Sequence, residues 1–167
     1  THFKTHQSRE IGEWFRASGV EKITVSSLNM AMKFAEWGWN DITVAFPVNC
    51  LEHEKINALA SKIRLNLLLV HSEGARQLSE CLKYPVGVYL GVDTGYHRDG
   101  VDANNYEKID RIINIVAPDV NIKFEGFLTH AGHTYHARSK EEIMQIHKDN
   151  QKKKKNIKER YIDRYPQ

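Results

Sequence analysis

Two hydrophobic periods alternate along this chain, and the switches between them mark out its elements. Short runs rich in β-branched and aliphatic residues predict strands at 22–27, 41–47, 66–70, 86–92 and 122–130, and the opening residues 1–6 read as a further strand ending in a turn. Between them the spacing becomes helical. Ile11, Trp14, Phe15 and Ser18 fall at i, i+3, i+4 and i+7, with Gly19 as the stop. A second helix starts at the Ser27 cap and closes at Trp37–Gly38. Ile56, Leu59, Ala60 and Ile63 line a third, and Ala75, Leu78 and Leu82 a fourth. Ile109, Ile112, Ile113 and Val116 line a fifth, ended by Pro118. Asn49 with Glu52, Asn104 with Glu107, and Ser139 with Glu142 have the spacing of capping boxes. The last of these opens a long polar helix expected to reach the neighbourhood of Pro166.

Strand followed by helix, six times over, implies parallel strands joined by crossover helices. The run 66–70 is almost wholly apolar, as a strand covered on both faces should be. Two architectures satisfy this order: an open doubly wound sheet and part of a (β/α)8 barrel. No glycine-rich phosphate fingerprint follows any strand, so a dinucleotide-binding sheet is unsupported. A complete barrel needs about 250 residues. The 167 residues here supply six units and begin on a strand, so the chain is expected to be a segment of a longer or trimmed protein.

Composition narrows the functional classes. At 41% hydrophobic and 27% charged the chain can build one ordinary core, and no apolar run is long enough to span a bilayer. Cys50 and Cys81 have no metal-type spacing and read as reduced thiols of a cytoplasmic protein. The net charge of +3 is mild, and part of it sits in the run Lys152–Lys155. No aromatic residues interleave with those lysines, so they read as a solvated helix face rather than a nucleic-acid surface.

Candidate chemistry gathers after the strands, where parallel α/β folds place their active sites. In an extended 1–6 segment His2, Lys4 and His6 share one face, and Phe3 and Thr5 the other. Neighbouring positive charge and partial burial favour a neutral amine, which can attack a carbonyl. Lys4 is therefore a candidate reactive amine, against the plainer reading of an exposed edge strand. Ser26 and Ser27 follow the next strand, and Asp93, Thr94 and Arg98 the fifth. His130, His133, Tyr135 and His136 follow the sixth, and no comparable cluster is expected at the opposite strand ends. Three histidines at spacing three invite a metal reading, but on a loop that spacing does not bring the three rings to one centre, and no carboxylate or thiolate is adjacent. They suit the lining of an organic cofactor's pocket better. Arg98, in a glycine-containing turn, offers a planar cation to a cofactor or a substrate carboxylate.

Three motifs, His2-Phe-Lys4-Thr-His6, Val92-Asp-Thr-Gly-Tyr-His-Arg98-Asp-Gly-Val101 and Thr129-His-Ala-Gly-His-Thr-Tyr135, resemble those of the fold-type III pyridoxal-phosphate enzymes, the alanine-racemase-like barrels. The resemblance is to the D-threonine aldolase and eukaryotic-type D-serine dehydratase branch, and it runs to about Lys140. It implies a partial (β/α)8 TIM barrel of about six βα units across residues 1–167, an α/β fold with parallel strands, and a C-terminal β domain absent from this chain. It further implies pyridoxal 5′-phosphate, with Lys4 as the Schiff-base lysine and Arg98, His130 and Tyr135 as cofactor neighbours. The divalent metal, zinc or manganese, is expected in the missing domain. The implied activity is that of a lyase on a small D-3-hydroxy amino acid, by D-serine dehydration or D-threonine cleavage, in a homodimer. The segment after the sixth strand favours the dehydratase. An amino-acid racemase and a non-catalytic cofactor-binding homeostasis protein are the alternatives on the same barrel. Gln7 departs from a lysine common in the branch, and Thr1 from a proline. The phosphate-binding loops of such barrels follow their last two strands, which this chain does not contain.

Overall fold

The computed structural model describes residues 1–165. Its strands are β1 (Ile23–Val25), β2 (Asp41–Pro47), β3 (Arg64–Leu69), β4 (Val86–Asp93), β5 (Val101–Asp102) and β6 (Ile122–Leu128). Its helices are α1 (Arg9–Ala17), α2 (Leu28–Glu36), α3 (His53–Ala60), α4 (Ser72–Cys81), α5 (Tyr106–Val116) and α6 (Lys140–Tyr161). Every strand pairing is parallel, and the main strands run β1-β2-β3-β4-β6 in chain order. The short β5 pairs with the end of β4 and was not visible in the sequence pattern.

That order decides between the two architectures. A doubly wound sheet reverses its strand order and carries helices on both faces. Here the order never reverses, and one sheet face carries the main core cluster, with Leu68 the buried apolar exception on the other. Ile23, Val25, Ile42, Val44, Leu65, Leu67, Leu69, Val86, Val88, Leu90 and Val92 join helix residues such as Phe34, Ile56, Leu78 and Ile113 in one buried cluster. The alternate positions Thr24, Thr43, Asn66, Tyr89 and Glu125 form the other face, which is polar. This is the wall of a barrel, with helices outside.

The first predicted strand shrinks to a single parallel bridge between His2 and Thr24, fixed by Phe3 N–H donating to Thr24 O at 2.8 Å and Thr24 N–H to Thr1 O at 2.7 Å. The face assignment holds for His2, Phe3 and Lys4 but not beyond the bend at residues 4–5, where Thr5 and His6 are both exposed and meet each other at 3.3 Å. Phe3 is fully buried against the rings of Phe15, Phe34 and Trp39, at 5.2, 5.1 and 5.9 Å, which leaves His2 and Lys4 on the inner side.

Several local expectations need correcting. Trp14 is 69% exposed, because α1 turns Ile11, Gly12 and Phe15 inward instead. The Asn49–Glu52 box is a 3-10 turn, Cys50–Glu52, capped by Asn49, after which Glu52 pairs with Lys55 at 2.7 Å rather than capping α3. The cap of α5 is Asn105, not Asn104, whose N–H is taken by Asp102 at 2.7 Å. The Ser27 and Ser139 caps form as expected. Pro166 lies outside the described residues.

Cys50 and Cys81 are free thiols, each raised in pKa by burial. No helix among the described residues is long and apolar enough to cross a membrane.

The expected contrast between strand ends also fails. A polar network occupies the amino-terminal end. Arg64 donates to Glu125 at 3.0 Å and lies 3.6 Å from Asp41, Lys22 and Lys123 flank these two carboxylates at 3.8 and 3.1 Å, and Asn66 donates to Asp41 at 3.1 Å. These residues are spread over four strand starts, so linear spacing gave no sign that they meet.

Candidate active site at the carboxyl ends of the strands

The mouth of the barrel is built by the segments that leave the strands. Lys4 follows the bridge to β1, Phe46 ends β2, residues 93–100 follow β4, and His130 follows β6. Lys4 Nζ lies 5.9 Å from the centre of the Phe46 ring, and Arg98 Cζ lies at the same distance from that ring. Arg98 also sits 5.7 Å from the Tyr96 ring, which packs edge-on to His130 at 5.5 Å. Tyr135 joins at 5.9 Å from His130 and remains 69% exposed. The four residues singled out in the sequence, Lys4, Arg98, His130 and Tyr135, thus meet at one rim. Lys4 is exposed, against the expected partial burial, because the surrounding rim is open.

Two loops carry this arrangement. In the first, Asp93 Oδ1 accepts from the N–H groups of Gly95 at 2.8 Å and His97 at 3.1 Å, while Oδ2 meets His97 Nδ1 at 2.8 Å. Burial acts to raise the Asp93 pKa, but these hydrogen bonds outweigh it and hold the carboxylate below its usual range. His97 takes φ of 57°, which the Asp93 bonds hold in place. Gly100 has φ of 96° and lies so close to β4 that a Cβ would meet Asp93 N at 2.9 Å. Only glycine lets the loop fold back there. Arg98 Nε is fixed by Asp99 at 2.8 Å, so the guanidinium is held at the rim.

The second loop is the 3-10 turn Gly132–His136. A Cβ at Gly132 would meet the Tyr96 ring at 2.5 Å and His130 Nε2 at 2.8 Å. Gly132 and Tyr96 are therefore site-building residues that motif reading passed over. The signal was present, since both stand inside the quoted motifs, but their packing is a contact between loops 36 residues apart. His133 stacks on Tyr96 at 6.5 Å, and His136 is exposed. Among the described residues no group of three His, Cys, Asp or Glu side chains is arranged to hold a metal ion.

The electrostatics of the rim favour neutral imidazoles. Burial, then Arg98 and Lys4, lowers the His130 pKa. Burial, then Lys4, lowers that of His2, whose Nε2 lies 3.1 Å from Ser26 Oγ. His6, beyond the bend, meets Thr5 at 3.3 Å. A cavity of about 280 Å³ lies elsewhere, between α6 and β6, lined by residues that include Phe124, Phe127, Tyr161 and Tyr165. It contains none of Lys4, Arg98, His130 and Tyr135.

A primary amine, a fixed guanidinium, an imidazole kept neutral and flat aromatic faces can together hold a planar, electron-poor ring bearing an aldehyde. Comparison with known proteins gives the chain's relatives. Residues 2–163 match the family model described as alanine racemase, N-terminal domain. The D-serine dehydratase of Dictyostelium discoideum is 28% identical over 160 residues, covering 87% of this chain and 40% of that protein. The D-threo-3-hydroxyaspartate dehydratase of Delftia sp. (strain HT23) is 32% identical over 151 residues, 87% of this chain and 39% of that one. A solved structure of that dehydratase superposes with a TM-score of 0.86 at 24% identity over 96% of this chain and 43% of its own. The D-threonine aldolase of Filomicrobium marinum superposes at 0.81 with 21% identity, over 89% and 40%. The structural matches, below 25% identity, establish the fold. The chain spans about two fifths of the length of the curated relatives it matches.

Proposed function

The chain belongs to the alanine racemase N-terminal domain family, and from that premise we propose that it is the barrel of a pyridoxal-phosphate-dependent lyase acting on a small D-3-hydroxy amino acid. The observation that carries this reading is the convergence of Lys4 and Arg98 on the Phe46 ring, each at 5.9 Å, beside His130. Pyridoxal phosphate, when bound, supplies an electron sink for negative charge at the substrate Cα.

The chain's own residues would do the rest. Lys4 would hold the cofactor's aldehyde end, and its amine would serve as the base for the substrate Cα proton. Arg98, anchored through Nε by Asp99, presents its remaining N–H groups to the cofactor ring or to the substrate carboxylate. His130, kept neutral by burial and by Arg98, packs beside the ring without adding positive charge. Phe46, Tyr96 and Tyr135 would supply aromatic faces against which a planar ring can lie. In dehydration, loss of the Cα proton and the β-hydroxyl of D-serine as water would give 2-aminoacrylate, which tautomerises to the imine and is hydrolysed by a second water to pyruvate and ammonia. In the aldolase alternative, a base removes the β-hydroxyl proton, the Cα–Cβ bond breaks, and D-threonine gives glycine and acetaldehyde. The dehydratase reading is preferred because both curated relatives described above are dehydratases. The reading assigns the divalent cation, zinc or manganese, and the phosphate-binding loops to residues outside this chain. It further takes the protein to be a cytoplasmic homodimer.

The test is borohydride reduction of the full-length protein incubated with pyridoxal phosphate, followed by peptide mapping. The label is expected on Lys4 and lost in Lys4→Ala. Retention of the label in that variant would overturn the assignment. Release of pyruvate from D-serine, against acetaldehyde from D-threonine, then separates the two lyases.

A further inference from the structure

The run Lys152–Lys155 was expected to be a solvated helix face, and three of its four members are exposed. Lys153 is not. Its side chain runs inward and Nζ donates to the backbone carbonyl of Thr94 at 2.8 Å. Thr94 is 2% exposed, immediately follows β4, and shares a hydrogen bond with Thr129, Oγ1 to Oγ1, at 3.0 Å. One turn earlier on the same helix face, Asn150 is 4% exposed and meets His133 Nε2 at 3.4 Å. Two side chains of α6 therefore hold the two loops that build the rim.

The contacts reach the functional groups within one or two steps. His133 stacks on Tyr96, Tyr96 lies under Arg98 at 5.7 Å, and Tyr96 packs on His130 at 5.5 Å. A buried backbone carbonyl must find a donor, and an ammonium makes a stronger bond than a neutral group. Loss of Lys153 would leave the Thr94 carbonyl unpaired at the base of the Arg98 loop. The Asn150–His133 pair also sets a tautomer. With the amide nitrogen toward Nε2, the ring proton falls on Nδ1, which is buried without a partner, as is Asn150 Oδ1. With the amide turned over, Nε2–H donates to Oδ1 and no ring N–H is stranded.

We propose that α6 is a clamp on the active-site rim, with Lys153 and Asn150 as positioning residues that fix Arg98 and His130 through the loops at 93–98 and 129–133. The clamp itself rests on the contacts above; only what the rim holds rests on the cofactor reading.

The test uses the full-length protein and two measurements. Hydrogen–deuterium exchange of the peptides spanning 93–101 and 129–136 needs no cofactor, and pyridoxal-phosphate titration gives the dissociation constant. Lys153→Met is expected to speed exchange in both peptides and to weaken cofactor binding, each about tenfold. Lys153→Arg should recover most of both, while Lys152→Met and Lys155→Met stay within about twofold of the parent. Ile157→Val, which trims a buried α6 side chain that makes neither of the two clamp hydrogen bonds, serves as the stability control and should leave the dissociation constant unchanged. If Lys153→Met behaves like Lys152→Met, or if Ile157→Val matches it, the clamp is wrong. Should Lys153→Met fail to fold, Asn150→Ser decides: faster exchange in 129–136 supports the clamp and unchanged exchange overturns it. If the parent protein binds no pyridoxal phosphate, the proposed function fails and the exchange measurements alone judge the clamp.

Discussion

The two ends of the barrel both carry charged groups and use them in opposite ways. At the amino-terminal floor every charge is answered: Asp41 and Glu125 are bridged by Arg64 and flanked by Lys22 and Lys123. At the carboxyl-terminal mouth the cations gather on aromatic rings. Arg98 has Asp99, but among the described residues no carboxylate pairs with Lys4, and His2 and His130 are both pushed toward the neutral form. Charges that neutralise one another on a rigid wall contribute modestly to stability and offer little to a ligand. Lys4 without a carboxylate partner, and the N–H groups of Arg98 that Asp99 leaves free, give an aromatic rim capacity for an anionic, planar guest. Polarity alone does not distinguish the ends; pairing does.

The sharpest way to break this comparison is to remove the mouth amine. Lys4→Ala should lower lyase turnover by about a hundredfold or more while leaving thermal stability unchanged, since the side chain is exposed. A steady-state assay paired with a melting curve checks both halves. Next in size, Gly132→Ala forces a methyl onto Tyr96 and His130, and should cost about 1–3 kcal/mol in a denaturant titration and weaken cofactor binding. At the floor, Arg64→Met removes the bridge but leaves Lys22 and Lys123 beside the carboxylates. It should cost about 1 kcal/mol and leave turnover within twofold. A large loss of activity in Arg64→Met would erase the distinction between the two ends.

The smallest effect is in pH dependence. His130 and His2 have native pKa values below their ordinary 6.5, so the unfolded chain binds more protons than the native one between the two values. Their contribution to stability is fully present above about pH 6.5 and declines as pH falls toward the native pKa. Asp93, also lowered, stabilises above its unfolded value near 3.8 and loses that contribution only as pH falls through its native pKa. Melting temperatures should therefore drop in two stages on acidification. In Arg98→Met the His130 titration, followed by its ring proton resonance, should move upward, because the second cause of its depression is gone.

The sequence by itself determined the element order, the parallel sheet, most helix faces and the residues that leave each strand, because period and capping are local properties of the chain. Ser27, Ser139 and the Ile109–Val116 face were legible for that reason. Lys4, Arg98, His130 and Tyr135 were legible as candidates through their motifs and their place after strands. What only the tertiary structure decided was which polar residues meet. The floor network joins side chains from residue 22 to residue 125, Tyr96 occupies the space above Gly132, and one lysine of four turns inward to Thr94. Those pairings depend on strand register and helix rotation, set by the burial of the whole apolar face at once, and no window of neighbouring residues contains them.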